Sequence, residues 1–236
     1  MKRVLLIAGA LALLGGGQAL AADLPPPAAP PPRAPAAYIP PPPPLFTWTG
    51  IYVGINGGYG FGTTSWSNTF AASGASGNFN ANGFLVGGQL GGNYQFGQFV
   101  IGLEGDGDWT NIKGASSTAP CGIVFTCVTG NDWLATVRGR AGYAWDRILF
   151  YGTGGAAFGN IQATTAGLPM TTLSTQTGWT AGAGVEGAFL PNWTARIEYL
   201  YVNLGTASCG VAVCGAVASI PLTENIVRAG VNYKFW

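Results

Sequence analysis

The 236-residue chain is long enough for one domain with appendages, and only 8% of it is charged while 48% is hydrophobic. Beyond residue 22 no apolar run reaches the about 20 residues a membrane-spanning helix needs, and 39 glycines, more than twice the usual ~7% share, disfavour a helical protein. A net charge of +1 gives no electrostatic pull toward nucleic acid, and the absence of histidine removes the commonest general base and a usual zinc ligand.

Residues 1–22 read as a secretory signal peptide: Lys2 and Arg3 precede the apolar stretch Val4 to Leu14, and Ala19-Leu20-Ala21 has the small residues of a cleavage site. Residues 23–45 read as a Pro-rich periplasmic linker, with proline at 25–27, 30–32, 35 and 40–44. Such a stretch lacks the donors for a β-ladder and favours extended polyproline conformation, so it is expected as a disordered or semi-rigid arm.

From 46 to 236 the expectation is a single all-β domain. Ile51, Val53, Ile55, Tyr59 and Phe61 alternate with Tyr52, Gly54, Asn56, Gly58 and Gly60, and similar alternation recurs near Phe84–Tyr94, Phe99–Trp109, Trp133–Trp145, Ile148–Phe158, Trp179–Phe189, Trp193–Val202 and Ile226–Phe235. Eight segments of roughly 10 residues match tilted strands crossing a bilayer. In the fifth, Ile148, Leu149, Phe150 and Tyr151 leave the register open. Tight turns at Gln95–Gln98, Trp145–Arg147 and Leu190–Asn192 alternate with long connections at Gly62–Ala81, Thr110–Asn131, Asn160–Thr177 and Asn203–Thr223, read as loops. Short turns on one side and long loops on the other describe an eight-stranded antiparallel transmembrane β-barrel of a Gram-negative outer membrane.

The charges sharpen this reading. Glu104, Asp106, Asp108, Arg138, Arg140, Glu186, Arg196, Glu198, Arg228 and Lys234 all fall on the parity opposite the aromatic and branched residues. In lipid that parity faces the lumen, since a cationic side chain turned outward at the midplane costs about 2–4 kcal/mol. A soluble sandwich or lipocalin-like barrel would turn the apolar parity inward instead. Against it stand Trp48, Trp109, Trp133, Trp145, Trp179 and Trp193 near segment ends, as interfacial girdles require, and an opposite parity rich in glycine. Five acids and five bases predict a self-neutralising lumen network, with Glu104 and Asp106 meeting Arg138 or Arg140. Eight strands leave room for little more than packed side chains, although the many glycines on the lumen parity leave space for water or a small solute.

Four cysteines in an exported chain read as disulfides, and the local pairs Cys121–Cys127 and Cys209–Cys214, each within one long connection, close the smallest loops. Zinc is disfavoured without histidine. The paired carboxylates Asp106 and Asp108 lie among arginines with no histidine to activate a hydroxyl, so neither an enzyme nor a cofactor site is expected.

The Ala21-Ala22-Asp23-Leu24-Pro25 opening, Phe46-Thr47-Trp48-Thr49-Gly50-Ile51-Tyr52-Val53-Gly54, the stretch Gly83 to Gln95 and the ending Val227 to Phe235 together resemble the small outer-membrane proteins of rhizobia and brucellae. The resemblance covers nearly the whole chain and implies an OmpA-like transmembrane barrel, in a family often labelled porin; unlike in full-length OmpA-type proteins, no peptidoglycan-binding domain is expected after the eighth strand. It also implies that the terminal strand is read by the barrel-assembly machinery through Val227, Ala229, Val231, Tyr233 and Phe235, with Trp236 as an added aromatic. The expected function is structural: a barrel that stabilises the membrane in contact with outer-membrane lipid, with long exposed loops. Alternatives are a narrow porin for water or small solutes and an adhesin acting through the loops. Peptidoglycan is a candidate partner of the Pro-rich arm.

Overall fold

The computed structural model describes residues 46–65, 67–68, 78–116, 127–165, 171–209 and 218–235. Residues 1–45, where the sequence reading places the signal segment and the linker, and Trp236 lie outside the described residues. Eight long strands are present: β1 Gly50–Thr64, β2 Phe79–Phe96, β3 Phe99–Ser116, β4 Cys127–Trp145, β5 Ile148–Thr165, β6 Thr171–Ala188, β7 Trp193–Cys209 and β8 Ala218–Lys234. Each pairs antiparallel with the next, and β1 pairs with β8, so the sheet closes into a barrel without an edge. A two-residue strand, Ser67–Asn68, adds a short ladder to β8. Closure leaves no long unpaired sheet edge, the condition lipid imposes on a spanning chain.

Three tight connections join strands at one end of the barrel, here called the lower end. Gly97 (φ 62°) and Asp146 (φ 52°) supply the left-handed residues of two of them, where hairpin turns need positive φ. Residues 189–192 form the third, held by bonds between the backbones of Leu190 and Trp193.

The outward face of the lower half is apolar. Ile55, Phe84, Leu90, Leu103, Trp109, Val137 and Ile197 are among its most exposed side chains. In β5 the open register resolves with Ile148 and Phe150 outward and Leu149 and Tyr151 inward. Aromatic contacts mark both borders: Tyr59 with Phe84 and Trp179 with Tyr201 above, and Phe96 with Phe99, Phe99 with Tyr143 and Trp193 with Tyr233 below. Trp48 does not join these girdles. It is buried inside the lower mouth against Val100, Ala144, Leu149 and Ala188, because the chain turns inward before β1 through Gly50, whose φ of 143° suits glycine.

The strands run 15–19 residues, far beyond the about 9–11 needed to cross a bilayer. Much of what composition marks as loop is therefore ladder. Above the upper girdle the polarity reverses. Asn80, Asn82, Thr63, Asn111, Lys113, Thr175 and Thr177 face outward, while Leu85, Leu134, Ile161, Leu200, Leu204, Ile220, Leu222 and Ile226 pack inside as one apolar cluster. This upper collar has the inside-out relation of a soluble β-barrel. The transition coincides with register shifts at Trp109/Ile112, Gly130/Leu134, Ile161/Gln162 and Asn203/Thr206; bulges of this kind re-aim side chains. Asn160 Oδ1 accepts from the backbone N–H groups of Asp132 and Trp133 there, at 3.0 and 3.3 Å, so donors displaced from the ladder stay paired.

The disulfide expectation is corrected. No disulfide bond joins described residues, so Cys121–Cys127 and Cys209–Cys214 are not carried further. Cys127 opens β4 against Ser116 and Thr165, and Cys209 closes β7 against Ala218, so both sit in ladders and not in free loops. Cys121 and Cys214 lie outside the described residues.

Candidate functional site

The candidate site is the charged layer of the lower lumen. Alternation along β3 turns Glu104, Asp106 and Asp108 inward, and the register of β4 sets Arg138 opposite Glu104 and Arg140 opposite Gly102. From the other wall β7 contributes Arg196 and Glu198, β8 Arg228 and β6 Glu186, all buried. Arg138 Nη2 donates to Glu104 Oε1 at 2.5 Å and to Asp106 Oδ2 at 2.7 Å. Arg140 Nη2 donates to Glu186 Oε2 at 2.8 Å.

The longest links cross the barrel. Arg196 pairs with Glu104, and Arg228 Nη1 reaches Asp106 Oδ1 at 3.1 Å and Asp108 Oδ2 at 3.0 Å while its Nε donates to Glu198 at 2.8 Å. These bonds tie β7 and β8 to β3 through the lumen, as an eight-stranded interior permits. Charges deprived of water are tolerable only when paired with good geometry, and neutral groups complete the network. Tyr52 Oη donates to Glu104 Oε2 at 2.6 Å and accepts from Arg140 at 3.0 Å. Thr136 donates to Asp106 at 2.7 Å, Asn232 to Glu186 at 2.9 Å and Gln89 accepts from Arg196 at 2.6 Å. The Arg140 guanidinium also lies 4.0 Å from the centre of the Tyr151 ring.

Lumen glycines do not leave this interior empty. A Cβ on Gly91 would come within 2.4 Å of Tyr52 Oη, and one on Gly184 within 2.6 Å of Tyr151 Oη. Each glycine is the socket for a large side chain on the neighbouring strand.

Nine of the ten charges assigned to the lumen network meet in this layer. Lys234 does not: it sits at the lower mouth, with Nζ donating to the Thr47 carbonyl and lying 4.4 Å from the Phe46 ring. Val227, Ala229, Val231 and Tyr233 form the outward face of β8, with Phe235 just beyond it. Sequence reasoning passed over Tyr52, Gln89, Tyr151 and Asn232, although their lumen parity was readable from their own segments. It also passed over Glu224, which continues the parity of Arg228 four residues further up β8. Among the described residues there is no group of three metal-binding side chains.

A closed eight-stranded barrel with an apolar belt, two aromatic girdles and a buried ionic lumen defines an outer-membrane β-barrel. Residues 44–235 match the family described as outer membrane protein beta-barrel domain, and the chain belongs to it. It is 35% identical over 206 residues to the 31 kDa outer-membrane immunogenic protein of Brucella melitensis, covering 80% of this chain and 85% of that one. It is 31% identical over 196 residues to a 22 kDa outer membrane protein of Rhizobium leguminosarum, covering 80% and 79%. Among solved structures it is similar to OprG of Pseudomonas aeruginosa, with 12% identity, a TM-score of 0.47 and 79% and 97% of the two chains covered. Neisserial surface protein A gives 18%, 0.42, 79% and 98%. The chain is thus a Gram-negative outer-membrane barrel, and its relatives are named for place and immune recognition, not for a reaction.

Proposed function

We propose that this chain is a structural barrel, closed to solute flow, that stabilises the outer membrane and holds its outer connections at the cell surface. The filled lumen supports this reading. Arg138 and Arg228 are fully buried in the ionic layer, the glycines on the lumen wall receive large side chains, and an apolar cluster lies above. Ions crossing such an interior would have to displace cross-lumen pairs, each of which leaves an unpaired buried charge when broken. The test is reconstitution into planar bilayers. A folded, heat-modifiable barrel without discrete conductance steps is the expected result; steady steps of fixed size would favour the narrow porin instead.

The adhesin alternative draws on the collar, which lifts the outer connections above the lipid, and on relatives named as immunogenic. Deleting one outer connection at a time while the barrel stays heat-modifiable would test it through binding to host cells or matrix. In the same reading residues 1–22 direct export, Val227, Ala229, Val231, Tyr233, Phe235 and Trp236 present the terminal strand to the assembly machinery, and the arm 23–45 reaches toward peptidoglycan. Pull-down on purified peptidoglycan with and without the arm decides the last point.

A further inference from the structure

The interior of the collar contains one ionisable side chain among the described residues. Glu224 lies on the inward face of β8 between Leu222 and Ile226, opposite Val202 of β7 and Gly62 of β1, and is 0% exposed. Neither carboxyl oxygen has a hydrogen-bond partner among the described residues. The walls offer no countercharge. β1 carries only Tyr52, lower in the lumen, and Tyr59, facing outward. On β7 the inward charges are Arg196 and Glu198 in the layer below, and on β8 Arg228 is taken by Asp106, Asp108 and Glu198. The inward charges of β3 and β4 end at Asp108 and Arg138, Glu186 of β6 is also in the lower layer, and Lys113 and Asp132 face outward. β2 and β5 hold no charged residue.

A carboxylate stripped of water, without donor or countercharge, is strongly disfavoured in its ionised form, whereas the neutral acid is far easier to bury. The outer wall of the collar is polar and meets water, so a hydrated alternative is close at hand.

We propose that Glu224 makes the collar proton-responsive: the apolar core closes around the neutral acid, and loss of its proton to solvent loosens the upper ladder so that water reaches the carboxylate. The sign follows from burial alone. Closure favours the protonated form, so the collar is tightest in acid and loosens as pH rises. The lower lumen differs in kind, because there each acid faces an arginine.

Amide hydrogen exchange on the full chain in lipid nanodiscs reads this directly. Wild type and E224Q are compared at the same pH, about 5 and then about 8.5, so that intrinsic exchange chemistry cancels. The expected ratio for residues 200–207 and 220–226 is near one in acid and rises about tenfold in alkali, while residues 227–234 stay equal throughout. A ratio that does not change with pH overturns the proposal. If E224Q does not give a heat-modifiable barrel, E224L serves in its place; a collar response that persists in E224L also overturns it.

Discussion

The belt and the collar are built on the same eight strands yet solve opposite problems. In the belt lipid surrounds the wall, so Val53, Leu90, Leu103 and Val137 face outward and ions fill the centre. In the collar water surrounds the wall, so Asn82, Lys113 and Thr177 face outward and Leu134, Leu200 and Leu222 fill the centre. Strand geometry is indifferent to which face is apolar; the surrounding solvent decides it. The two interiors also differ in what holds them. The belt relies on directional pairs across the lumen, whereas the collar relies on non-directional burial of apolar surface.

The largest effect expected in breaking that contrast is at Arg138. R138A removes the arginine that Glu104 and Asp106 share, leaves the layer's five buried acids facing only Arg140, Arg196 and Arg228, and should destabilise the belt by about 3–5 kcal/mol, read as a lowered midpoint of denaturant unfolding in lipid. An unchanged midpoint would mean the ionic layer is not what secures the belt. Next comes I55R, which turns a cation into lipid near the middle of the belt at a cost of about 2–4 kcal/mol and should block heat-modifiable assembly. Asn82→Arg, on the outward face of the collar, should assemble normally; equal failure of both would erase the boundary between the regions.

L222A should cost about 2–4 kcal/mol by opening a cavity in the collar, and hydrogen exchange should rise there before it rises in the belt. Simultaneous loss in both would show one cooperative unit. G184A intrudes on Tyr151, whose Oη lies 2.6 Å from the new methyl. Overpacking of this sort costs about 1–3 kcal/mol, and pairing it with Y151F (which shortens the intruding side chain) should recover part of the loss in the same unfolding measurement.

The belt was legible in the sequence because lipid makes its rule strict. Glu104, Asp106 and Asp108 could stand on only one parity of β3, and Ile101, Leu103 and Trp109 on the other. The arginines opposite them followed from the same constraint. The collar was not legible, since a wall facing water can use threonine, asparagine and serine outside and alanine inside, the vocabulary of a loop. Thr171 to Thr177 carries no strong period, yet it pairs along β5. Glu224 is hidden by the same boundary, because the readable alternation of the last segment begins at Ile226. Trp48 was misplaced for a different reason: one aromatic residue at the start of a strand has the same appearance whether it faces the headgroups or turns into the mouth. Only the bond from its Nε1 to the Asp146 carbonyl at 3.2 Å, and that from its backbone N–H to Gln95 at 2.7 Å, distinguish the two.

The seat of Trp48 also carries a consequence for timing. Its contacts come from Gln95 of β2, Val100 of β3, Ala144 of β4, the turn at Asp146, Leu149 of β5 and Ala188 of β6, and its neighbours Phe46 and Thr47 touch Lys234 at the end of β8. No single hairpin offers that seat. Five consecutive strands, β2 to β6, must stand side by side before its walls exist, so a docked Trp48 reports that most of the barrel wall is already assembled.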